Sequence, residues 1–141
     1  MRTATKVSQL VLLGSGALLL VLGLIIWTGH GDPLIGIHAM LGFLLVLSLW
    51  AIAAIAARTG VSIGMVALAV AWGLAAPIFA GVQVRLVTGG WHWTIQVLHL
   101  VVSMGVIAVG RLLVIRIRRN EATAGLSRRP AHPASSVHSK D

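Results

Sequence analysis

The chain contains no cysteine, and only three of its 141 residues are acidic. The first absence removes disulfides, thiolate metal sites, thioester chemistry and cysteine lipidation. Charged side chains of any kind make up 10% of the sequence, where soluble domains average about 25%. With 57% hydrophobic residues and a mean hydropathy of +0.96, an ordinary soluble domain is excluded and a membrane protein is expected.

What is present in abundance is long apolar runs. Four of them, 7–29, 34–57, 61–84 and 91–115, are long enough to cross a hydrocarbon core of about 30 Å at 1.5 Å per helical residue. The first follows Arg2 and Lys6, as a secretory signal would. Its length and its Trp27-Thr28-Gly29-His30 end, which is no small-x-small cleavage site, favour a retained helix. The links 30–33, 58–60 and 85–90 are so short that consecutive helices must be antiparallel neighbours. The expected fold is therefore an all-α, up-down-up-down four-helix transmembrane bundle over 1–119. Residues 120–141, rich in Ala, Ser, Pro and Arg and without hydrophobic period, are expected to form a disordered tail. His132 and His138 fall in it as ordinary surface residues.

Basic residues are plentiful for so apolar a chain, and their distribution sets an orientation. Arg2, Lys6, Arg58, Arg111, Arg116, Arg118, Arg119, Arg128, Arg129 and Lys140 fall on one side of the bundle; only Arg85 falls on the other. This bias predicts both termini in the cytoplasm of a bacterial cell whose inner membrane the chain crosses several times. The formal charge of +8 is then accounted for by the anionic lipid bilayer surface, and nucleic acid is not an expected partner.

Chemistry is left to histidine. An imidazole near hydrocarbon costs free energy unless it is paired, solvated or coordinating, so His38, His92 and His99 are the candidate functional residues. In the fourth run His92, Gln96, His99, Ser103, Val106 and Gly110 recur at spacings of four and three, on one helical stripe that must face the interior. In the first, Gln9, Gly16, Gly23 and His30 lie seven residues apart. The two glycines on that line admit either a packed neighbouring helix or the edge of a flat macrocycle. In the second, Gly42 lies one turn deeper than His38 and leaves clearance beneath its ring. The third has no histidine; Pro77 is expected to kink it. Arg85 at its outer end suits either interfacial snorkelling or a ligand carboxylate such as a haem propionate.

Counting from the outer helix starts puts His38 about 6 Å deep and His99 about 12 Å deep, close enough, given tilt, to share one ion. His92 is about 10 Å shallower than His99 on the same stripe. It is an alternative ligand, the holder of a second cofactor, or part of an aromatic belt with Trp91 and Trp93. Zinc would demand three or four converging ligands. For copper, Met65 and Met104 lie away from an outer site. Two neutral imidazoles on facing helices instead match the axial positions of an iron porphyrin, haem b with His38 and His99 as metal ligands.

The pattern His38-Ala39-Met40-Leu41-Gly42 in helix two and His99-Leu100-Val101-Val102-Ser103-Met104-Gly105 in helix four, within a short-looped bundle spanning about 7–117, resembles one half of the haem A synthases. More loosely, it is similar to the four-helix membrane b-type cytochromes. The resemblance implies haem binding from above and below by paired histidines. In the synthase family an acidic residue joins a histidine in the first outer loop; here that loop has Gly29 before His30, no glutamate, and Asp32 after it. Haem binding carries over, and oxidation of a haem methyl does not.

The expected role is one-electron transfer, redox sensing or haem handling, by a binding protein more than a stand-alone enzyme. Quinol, a periplasmic redox protein, a larger respiratory complex or a homo-oligomer would be the partners. Two other readings remain: a cofactor-free structural or assembly subunit, and a chlorin pigment protein with a single histidine on magnesium. Proton-coupled transport is disfavoured, because two of the helices have no ionisable residue near the midplane.

Overall fold

The computed structural model of the chain describes residues 2–29, 32–86 and 89–127. These form four helices: α1 (Arg2–Trp27), α2 (Ile35–Arg58), α3 (Ile63–Leu86) and α4 (His92–Ser127). Single 3-10 turns, Asp32–Leu34 and Gly89–Trp91, lead into α2 and α4. All four helices are long and apolar enough to cross a membrane, and the described residues include no strand. The protein is a multi-pass, lipid-embedded bundle.

Two boundaries differ from the sequence reading. Helix α1 starts at Arg2 rather than near residue 7. Helix α4 runs through Ser127, so 120–127 are helical where composition predicts a structureless tail. That composition is misleading because Ala122, Ala124 and Leu126, with Glu121, are good helix formers that simply extend an existing helix; no new nucleus is needed. The rest of the predicted tail, with His132 and His138, lies outside the described residues, as does His30. Pro77 sits inside α3, which continues on both sides of it.

The link between α2 and α3 shows how a four-residue connection, 59–62, is closed. Gly60 adopts φ of +75°, and the Val61 N–H donates to the Ala56 carbonyl at 3.1 Å, a Schellman arrangement that ends α2. Asn120 of α4 donates from Nδ2 to the Thr59 carbonyl at 3.0 Å, tying this turn to the far end of α4. The Ser62 carbonyl then accepts the first bonds of α3, from Met65 and Val66.

Consecutive helices pack side by side, α1 closes against α4, and α2 also meets α4 across the bundle. Contacts fix the depths. Arg118 donates to Gln9 at 2.9 Å, and a Cβ on Gly110 or Gly16 would lie 2.6 Å from Leu12 or Ile107, so α1 and α4 are antiparallel. The Trp72 indole donates to the Val102 carbonyl at 2.9 Å, pairing α3 with α4 at mid-depth. Termini and the α2–α3 link therefore share one end; the two 3-10 turns share the other.

Burial is confined to the terminus end. The closed core consists of Leu12 from α1, Leu45, Leu49, Ile52 and Ala56 from α2, Ala69 from α3, and Val106, Leu113 and Ile117 from α4, together with their neighbours. Toward the other end no described residue of 17–29, 33–44, 77–86 or 89–105 is buried. That loosely packed half carries the histidines.

Candidate functional site

His38 lies in the first turn of α2, and His99 is the eighth residue of α4. Both helices begin at the open end, and their mutual contact brings the two rings together: the centroids are 6.4 Å apart with planes at 46°. The other two helices complete the surroundings. Phe79 of α3 stacks on His99 at 6.1 Å with an interplanar angle of 11°. Gly23 of α1 lies against His38, where an added Cβ would stand 3.5 Å from Cε1. A larger residue at 23 would press on the ring.

Both imidazoles are half-buried, and each has a buried Nδ1 with no hydrogen-bond partner among the described residues. A buried polar group left in this condition costs about 1–3 kcal/mol. Both atoms belong to rings whose centroids lie 6.4 Å apart. One turn along α2, nothing lies within 4 Å of a Cβ built on the half-buried Gly42.

The interior stripe of α4 holds its predicted orientation: His92, Gln96, His99 and Ser103 are half-buried, Val106 and Gly110 buried. The glycine line of α1 divides between the two roles open to it. Gly16 is filled by Ile107, which is helix packing, whereas Gly23 borders the histidine pair. His92 is the first residue of α4, two turns nearer the bundle's end than His99, and it too is engaged by a neighbour. Arg85 is exposed in the last turn of α3 at the same end. Trp27, Trp91 and Trp93 are also exposed there, where a membrane–water interface favours them.

Sequence reasoning missed Phe79 and Trp72. Each is an apolar residue in an apolar helix without polar periodicity, so which of them faces a histidine or a carbonyl depends on helix rotation alone. The stretch around Pro77 was the only local mark near Phe79. Among the described residues no group of three or more His, Asp or Glu converges on a common point. The chain matches no protein-family model, and neither a curated protein nor a solved structure is similar to it.

Proposed function

We propose that this protein binds one b-type haem near the open end of the bundle, with His38 and His99 as axial ligands, and works in one-electron transfer, redox sensing or haem handling. The observation that carries this reading is the juxtaposition of two imidazoles from separate spans, each with an unpartnered buried nitrogen. With centroids 6.4 Å apart, the two rings could both reach a group held between them.

The remaining residues fit the same group. His38 and His99 would hold it, Phe79 would restrain the plane of the His99 ring, and the open space at Gly42 would leave room for a flat macrocycle. Arg85, exposed at the interfacial end of α3, suits a propionate carboxylate. A haem so bound supplies a reversible one-electron couple without an open coordination position. That chemistry accords with a carrier in a bacterial inner membrane, exchanging electrons with quinol, a periplasmic redox protein or a larger respiratory complex.

The test is a reduced-minus-oxidised spectrum of the detergent-purified chain from haem-replete cells. Sharp six-coordinate b-type bands are expected, lost in H38A and in H99A and kept in H92A. A colourless preparation would overturn the proposal in favour of a cofactor-free subunit. Bands lost in H92A and kept in H99A would reassign the ligand.

A further inference from the structure

A second site is suggested at the opposite end, where α1 and α4 leave a groove. Two cavities of about 250 and 290 Å³ adjoin there, and both are lined by Lys6 and Arg118. The larger one continues along Leu10 and Leu13, which are 70% and 37% exposed. The smaller is flanked by Thr5 and Glu121. We propose that this groove binds the phosphodiester of an anionic phospholipid, with Lys6 and Arg118 at the phosphate and an acyl chain along Leu10 and Leu13.

Depth is the first argument. Lys6 and Trp27 are 21 residues apart on α1, about 32 Å, so a bilayer that meets Trp27 at one interface meets Lys6 at the other. The Arg118–Gln9 hydrogen bond places the guanidinium within one turn of Lys6, at headgroup level. Orientation is the second. That bond uses one of five guanidinium N–H donors and fixes the fork, leaving the others for phosphate oxygens. Charge is the third: Lys6 and Arg118 bring two cationic side chains to one groove, the complement of an anionic phosphate. Basic grooves between transmembrane helices on the positively charged side are suited to such headgroups. Nothing in this site depends on the histidine pair.

Native mass spectrometry of the full chain, released from bilayers of phosphatidylglycerol and phosphatidylcholine, tests the assignment. The wild type should retain phosphatidylglycerol in preference, and 10 mM inorganic phosphate, a concentration of about that order being ample for a weak free-anion site, should not displace it. Lys6→Gln with Arg118→Gln should lower retention by about tenfold or more, while Arg116→Gln with Arg119→Gln, an equal charge change at the same end, should not. Equal loss in both double variants would reduce the effect to diffuse surface attraction and overturn the site. Displacement by inorganic phosphate would overturn the lipid. If the first double variant fails to fold, the wild-type lipid preference decides alone, and its absence sinks the proposal.

Discussion

The terminus half and the histidine half of this bundle are built from the same four helices, yet they are packed differently. In the terminus half Gly16, Gly73 and Gly110 are each overlaid by a side chain of a neighbouring helix, namely Ile107, Trp50 and Leu12. In the histidine half Gly36, Gly42 and Gly81 have no such neighbour within 4 Å. Within a bilayer, apolar side chains gain little by leaving lipid for protein, so cohesion depends on close contact at small residues. The closed half uses these three glycines for that purpose, although Gly14 and Gly64 meet nothing; in the histidine half Gly105 packs under Trp72 and Gly23 against His38, while Gly36, Gly42 and Gly81 stay open.

The comparison breaks most readily at Leu49, which is fully buried in the closed half. Leu49→Ala should cost roughly 2–5 kcal/mol in a denaturation titration of the detergent-solubilised chain, because the cavity cannot refill. A loss below 1 kcal/mol, on the order of a surface change, would mean that the closed half is not what holds the fold. Trp72→Phe probes the boundary between the halves. Removing the indole donor to the Val102 carbonyl should cost about 1 kcal/mol in the same titration. No change would show that α3 and α4 are held together by side-chain packing alone. The smallest stability effect is expected at Gly42. Gly42→Leu should raise the haem-free stability by about 0.5 kcal/mol, since it replaces an interior helix glycine and has nothing to displace. If the proposed haem lies beside Gly42, the same change should weaken its retention. Unchanged retention would place the proposed macrocycle on another side of the pair.

Much of this was readable from the chain. The runs long enough to span a bilayer specify four helices, and three short links then impose their alternating direction; from there, counting residues brings His38 and His99 to a similar height. The end of α4 was misjudged because the polar residues after Arg119 look like a tail, although their helix propensity extends the span. Phe79 and Trp72 were not readable for a different reason. Lipid-facing and interior-facing positions are equally apolar here, so hydropathy does not report helix rotation, and only residues with polar atoms, such as the α4 stripe, disclose their direction. Gly23 was flagged by its spacing, but its contact with His38 depends on how α1 and α2 face each other.

The overrun of α4 has a mechanical consequence. Asn120 is level with the α2–α3 turn, to which it is bonded, so α4 carries seven further helical residues, Glu121 to Ser127, about 10 Å of helix past that turn, the first of them alongside Thr5 and Lys6 of α1. A reporter fused after Ser127 would be displayed at the terminus end of the bundle, past the α2–α3 turn.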